Sequence, residues 1–182
     1  MAAPLILVLG GTRSGKSRFG LQLTVQLAGQ HGLATFLATA WRGDPEMERR
    51  IARHQQARPT RWSTIEVGTD LAGAIGRADP DAPILVEGLT LWLSAVAGDD
   101  LVDPDPILDG AVADVLDAIR AHHAPVVVVS DEIGLGMVPM HAGSRTFRDL
   151  IGLVHQRFAG AADEVHLVVA GLPLTLKGSR RA

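Results

Sequence analysis

Residues Gly10-Gly11-Thr12-Arg13-Ser14-Gly15-Lys16-Ser17 satisfy G-x-x-x-x-G-K-[ST] at every fixed position, directly after the apolar run Leu5-Ile6-Leu7-Val8-Leu9. The chemistry this permits is phosphate binding. Glycines let the backbone curl until several N–H groups face one point, Lys16 reaches the outer phosphates, and Ser17 holds a magnesium ion. A second group of reactive types surrounds His54, where Arg42, Arg49, Arg50, Arg53, Arg58 and Arg61 crowd a 20-residue window. It reads in two ways: a solvated helix face with a half-buried histidine, or a site that gathers a second polyphosphate around a neutral imidazole nucleophile. Glu87 closes the run Pro83-Ile84-Leu85-Val86. It is either the strand-end acid that holds a magnesium water shell beside a phosphate loop or a carboxylate in solvent. Asp131 and Glu132 end another apolar run and precede Gly134 and Gly136. They either position a nucleophile or metal water, or cap their loop.

These groups need elements to aim them. Residues 5–9 form a buried strand, and a helix over Phe19–Ala28 directs its N-terminus at the phosphate loop. Leu33–Thr39 is a second strand whose end, Ala38-Thr39-Ala40, falls at the edge where ligands of open α/β sheets bind. Asp44 is a good N-cap and Pro45 a good first helical residue, so a helix runs to about Ala57 and stops before Pro59. Met47, Ile51 and His54 share one face of it. Trp62–Val67 is a short strand carrying Glu66, followed by a helix over Thr69–Arg77, the strand Pro83–Glu87, a helix over 88–98 and an acidic loop to Pro106. Leu108, Val112, Val115 and Ile119 recur at helical spacing. The β-branched run Pro125–Ser130 is a central strand. Ser144–Ala159 is a helix with Phe147, Ile151, Val154 and Phe158 inward, Asp163–Gly171 is a strand, and Leu172–Lys177 turns back as a hairpin strand. The alternation predicts an α/β, P-loop NTPase (RecA-like) fold, with a mostly parallel sheet flanked by helices and a short C-terminal hairpin.

A length of 182 residues suits one domain, 1–182. Hydrophobic content of 47% with only 4% aromatics implies a core of Val, Leu, Ile and Ala. A net charge of −3 supplies no global field for nucleic acid, and the lack of cysteine excludes disulfides, thiolate zinc sites and a cysteine nucleophile. No run approaches the ~20 apolar residues of a membrane span, and the first apolar run lacks a signal peptide's basic leader, so a cytoplasmic protein is expected.

Several segments together resemble one family, the bifunctional adenosylcobinamide kinase / adenosylcobinamide-phosphate guanylyltransferase of cobalamin biosynthesis. They are the phosphate loop through Arg18, Ala38-Thr39-Ala40, Arg50-Ile51-Ala52-Arg53-His54-Gln55-Gln56-Ala57-Arg58-Pro59 with Trp62, Glu87, Glu132-Ile133-Gly134-Leu135-Gly136-Met137-Val138-Pro139, Phe147-Arg148-Asp149 and Ala162-Asp163-Glu164-Val165. The resemblance implies transfer of a γ-phosphoryl group from ATP or GTP to the aminopropanol hydroxyl of adenosylcobinamide. It also implies a second step, in which His54 attacks the α-phosphate of GTP and carries GMP to adenosylcobinamide phosphate. By the same resemblance Ala38, Thr39, Ala40, Gln55, Gln56, Ala57, Arg58, Glu66 and Glu87 contact the guanine nucleotide or its Mg2+, and the chain assembles as a trimer. Four positions depart from the family's pattern: Asp131 for asparagine, Met140-His141 for an acidic-asparagine pair, and His155 for asparagine. The competing readings are a P-loop kinase of another small metabolite and a non-enzymatic RecA-like nucleotide-binding module.

Overall fold

The structure is a computed structural model that describes residues 4–29, 32–39, 59–98 and 101–178. The strands are β1 (Leu5–Gly10), β2 (Thr35–Ala38), β3 (Ser63–Glu66), β4 (Ile84–Glu87), β5 (Val126–Asp131), β6 (Glu164–Val169) and β7 (Leu172–Lys177). They form one sheet in the order β3-β2-β4-β5-β1-β6-β7, in which every neighbouring pair is parallel except β6 and β7. The helices are α1 (Lys16–Ala28), α2 (Leu71–Gly76), α3 (Leu89–Ala97), α4 and α5 (Ala142–Ala161). Helix α4 is a continuous run of Asp105–Ile107, the π-helical turn Leu108–Val112 and Ala113–Ala121.

The central strands are covered on both faces, which is why they read as unbroken apolar runs rather than alternating ones. On β1, Leu5, Leu7 and Leu9 face a larger core shared with Leu71, Leu93, Val115, Ile151 and Phe158 from α2 to α5. Ile6 and Val8 face a smaller core with Leu23 of α1, Phe36, Val127 and Trp62. Gly20 lets α1 approach that face closely: a Cβ there would sit 2.6 Å from Val129 Cγ2. Asp70 begins α2 by accepting from the Gly73 N–H at 2.8 Å, and this bond, with Arg77 beside it, lowers its pKa.

Alternating strands and helices, a mostly parallel sheet and a C-terminal hairpin are thus observed as expected. The differences are local. Helix α1 begins at Lys16 rather than Phe19, because the Gly15 carbonyl accepts the first helical bond from Phe19 N at 3.0 Å. Lys16 and Ser17 therefore ride on the first helical turn and not on a flexible loop. The loop expected up to Pro106 ends earlier, with Asp105 and Pro106 starting α4. Helix α5 extends two residues beyond the expected span at each end. The helix expected from Asp44 to Ala57, with His54 and its arginines except Arg61, lies outside the described residues. Among the described residues, no helix is long and apolar enough to cross a membrane.

Candidate active site

The phosphate loop connects β1 to α1 and is shaped by what cannot fit there. A Cβ on Gly10 would lie 2.4 Å from Ser14 Oγ and 2.8 Å from the Val168 carbonyl, so any larger residue pushes the loop off its neighbours. Gly15 has φ 97°, a left-handed conformation that L side chains rarely adopt, and it turns the chain into α1. The loop is also pinned from outside its motif. In the β6–β7 turn the Gly171 N–H donates to the Ser14 carbonyl at 2.7 Å, so the hairpin holds the tip of the loop.

Two carboxylates flank the loop's functional pair. Lys16 is 5% exposed; its Nζ lies 2.5 Å from Asp131 Oδ1 and donates to the Gly11 carbonyl at 3.3 Å. Ser17 Oγ donates to Glu87 Oε1 at 2.6 Å. Register explains the meeting. Gly10 is opposite Asp131 on β5, and Glu87 ends β4, the next strand out. Thr39, buried at the end of β2, donates its hydroxyl proton toward the Glu87 and Gly88 carbonyls, 2.7 Å from each, and so ties β2 to the turn after Glu87. Ala38 lies between Glu66 and Glu87 in one row across β3, β2 and β4. Glu66 thus belongs to the same sheet edge but two strands beyond Glu87, and its side chain is exposed.

Oxygen donors from a hydroxyl and a carboxylate, converging 2.6 Å apart beside a cradle of backbone N–H groups, suit a hard divalent cation such as Mg2+. Among the described residues no group of three or more His, Asp or Glu side chains forms a larger metal site.

Behind Asp131 lies a buried polar chain that sequence patterning does not reveal. The Asp131 N–H donates to Thr90 Oγ1 at 2.9 Å, Thr90 and Ser130 hydroxyls are 3.0 Å apart, and Ser130 Oγ is 2.8 Å from His155 Nε2. His155 Nδ1 faces Glu132 Oε2 at 3.5 Å. Burial lowers the His155 pKa, against the opposing pull of Glu132 and then Asp131. A neutral imidazole with its proton on Nδ1 satisfies the whole chain in one direction: Asp131 N–H to Thr90, Thr90 to Ser130, Ser130 to His155, His155 to Glu132. The departure at position 155 is therefore a built contact. The departure at 131 supplies the anion that Lys16 meets.

Of the residues expected at the site, Gly10 to Ser17, Ala38, Thr39, Glu66 and Glu87 lie along one edge of the sheet. His54, Ala40, Gln55, Gln56, Ala57 and Arg58 lie outside the described residues. Thr90, Ser130 and Gly171 were not anticipated. The strand expected over Asp163–Gly171 carried no signal for the last, and single hydroxyls inside apolar runs gave none for the other two.

The chain is similar to known proteins at two levels, fold and sequence. Folds similar to this one occur in a KaiC-like protein from Pyrococcus horikoshii, at 13% identity and TM-score 0.51 over 91% of this chain and 71% of that one. A second solved structure, an ATPase domain, is similar at 11% identity and TM-score 0.52, over 90% of this chain and 68% of that one. Both are likenesses of fold alone, and they agree with the P-loop, RecA-like α/β fold expected from the sequence. In sequence, it is 42% identical over 174 residues to the bifunctional adenosylcobalamin biosynthesis protein CobP of Pseudomonas aeruginosa, covering 94% of this chain and 96% of that one. It is 37% identical to the bifunctional adenosylcobalamin biosynthesis protein CobU of Salmonella typhimurium, covering 95% and 99%. Residues 6–176 match the family model for cobinamide kinase / cobinamide phosphate guanyltransferase. With a phosphate loop, its lysine and a strand-end acid in register, and with that match over nearly its whole length, the chain belongs to the cobinamide kinase / cobinamide phosphate guanyltransferase family.

Proposed function

We propose that this chain carries out both reactions of its family within one domain, residues 1–182. In the first, the hydroxyl oxygen of the aminopropanol arm of adenosylcobinamide bonds to the γ-phosphorus of ATP or GTP as the bridge to the β-phosphate breaks. The hydroxyl proton passes to water and a nucleoside diphosphate leaves. In the second, a ring nitrogen of His54 bonds to the α-phosphorus of GTP and pyrophosphate is expelled. The GMP then passes from the imidazole to adenosylcobinamide phosphate, giving adenosylcobinamide-GDP.

The observation that carries the kinase half is the paired contact of Lys16 with Asp131 and Ser17 with Glu87 at the mouth of the Gly10–Ser17 loop. Backbone N–H groups of that loop bind the phosphates, Lys16 compensates the charge on the transferred group, and the rigid first turn of α1 aims both Lys16 and Ser17. Ser17 and Glu87 would hold Mg2+, which would offset negative charge on the triphosphate. Ala38, Thr39, Ala40, Gln55, Gln56, Ala57, Arg58 and Glu66 contact the guanine nucleotide, and the arginines around His54 offset charge developing at its α-phosphate. The chain acts in the cytoplasm as a homotrimer.

The kinase half is tested by transfer of label from γ-labelled ATP to cobinamide. Wild type transfers it, and Lys16→Met loses about 10²-fold or more in kcat, the scale of losing one stabilising group for transition-state charge. Wild-type protein that hydrolyses ATP without labelling cobinamide overturns the reading.

A further inference from the structure

We propose that the loop after Glu132 and the cavity beneath it form the binding site for the corrinoid acceptor, resting on the kinase reading above. The loop from Ile133 to His141 displays large apolar side chains to water: Leu135 is 83% exposed, Met137 94%, Val138 68% and Met140 96%. A patch of this kind marks an interaction surface. It is also held rigidly. Glu132 Oε1 accepts from the N–H groups of Gly134 and Leu135 at 2.6 and 3.2 Å. From α5, Arg148 donates to the carbonyls of Gly134 and Met137, and Arg145 to those of Pro139 and Met140. Six bonds to backbone groups thus fix a loop whose side chains are left without cover.

Below the loop, between it, the end of α3 and the start of α5, is an open cavity of about 410 Å³. Ile133, Pro139 and Phe147 give it apolar walls, and Ser94, His141 and Ser144 place exposed polar groups at its rim. That volume is at the lower end for a small-molecule site and is too small for a macrocycle. It suits one arm.

A cobinamide is a broad ring carrying methyl groups, fringed by primary amides, with the acceptor hydroxyl on one amide-linked arm. The exposed side chains match the ring's apolar surface, the rim hydroxyls and imidazole match its amides, and the cavity matches the arm. Position decides between this occupant and any other. The loop grows directly from Asp131, the partner of Lys16, and Ile133 in the cavity wall is only two Cα steps from it, about 7.6 Å of chain at most. A substrate seated here brings its hydroxyl to the phosphate end of the nucleotide.

The double variant Met137→Asp/Met140→Asp changes two side chains that are more than nine-tenths exposed, so folding is spared. Cobinamide binding is measured by calorimetry in the presence of a non-hydrolysable ATP analogue, with the KM for cobinamide measured alongside and molecular mass followed by light scattering. Weakening of cobinamide binding and a rise in its KM by tenfold or more, with nucleotide affinity and mass unchanged, is the expected result. Cobinamide affinity within twofold of wild type overturns the assignment, as does a fall in mass, which would make the loop a subunit interface. Wild type that fails to phosphorylate cobinamide at all would instead refute the kinase reading.

Discussion

Replacing Asp131 by asparagine tightens nucleotide binding. In the structure Lys16 has its charge met by Asp131 at 2.5 Å, with the lysine side chain 6% exposed and the aspartate 25%. A triphosphate arriving at the loop brings more negative charge to the same ammonium, so carboxylate and phosphate end on opposite sides of one nitrogen, roughly 5 Å apart. At an effective dielectric of about 20, two unit charges at that distance repel by about 3 kcal/mol. The quarter exposure of Asp131 and the Mg2+ that accompanies the nucleotide screen about half of this. About 1.4 kcal/mol remains, a tenfold change in affinity. Asparagine keeps the side-chain shape and a carbonyl oxygen for Lys16 while removing the repulsion. Calorimetric titration with a non-hydrolysable triphosphate in low salt with Mg2+ gives a Kd about tenfold lower for Asp131→Asn than for wild type, and the gap narrows as salt is added. An equal or weaker affinity refutes the reasoning, because the carboxylate would then be helping the nucleotide, for instance through the metal's water shell.

Other perturbations separate the parts of the site. Glu87→Gln raises the Mg2+ concentration needed for half-maximal kinase activity by about 10–100-fold, as for groups that orient a metal's shell, and leaves metal-free nucleotide binding within twofold. Gly10→Ala forces a Cβ against Ser14 Oγ and the Val168 carbonyl, so it lowers stability by about 1–3 kcal/mol in urea unfolding and weakens nucleotide binding with it. His155, surrounded by Ser130, Glu132 and Asp131, binds a proton less readily folded than unfolded. Its contribution is therefore fully present above the unfolded pKa of about 6.5 and is lost as pH falls below that value, with a slope of at most about 1.4 kcal/mol per pH unit. The stability difference between wild type and His155→Asn, followed by denaturation from pH 7.5 to 5, shows this slope; a difference that is flat or grows toward acid contradicts the buried neutral imidazole.

How much of this was legible in the sequence depends on the kind of signal. The phosphate loop, the strand-end acid Glu87 and the parallel sheet follow from local patterns, since a doubly covered strand is a continuous apolar run and a backbone cradle needs glycines at fixed spacing. The C-terminal hairpin was equally readable from the short run Leu172–Lys177 that follows the strand expected over Asp163–Gly171. The Thr90-Ser130-His155 chain was hidden because its members come from α3, β5 and α5, and only the folded packing brings single hydroxyls inside apolar segments to one imidazole. The grip of Gly171 on Ser14 spans more than 150 residues of chain and has no local trace. Helix boundaries shifted for a similar reason: Lys16 is helical because the Gly15 carbonyl is already oriented by the loop, which periodicity of apolar residues does not sense.

Two phosphate chemistries on one chain stand or fall with His54. Incubation with GTP labelled at the α-phosphate, in the absence of any acceptor, is predicted to leave an acid-labile, base-stable label on wild-type protein. His54→Ala should remove that label while still transferring the γ-phosphoryl group to cobinamide. Wild type that stays unlabelled although it phosphorylates cobinamide, or a label that persists in His54→Ala, contradicts the account.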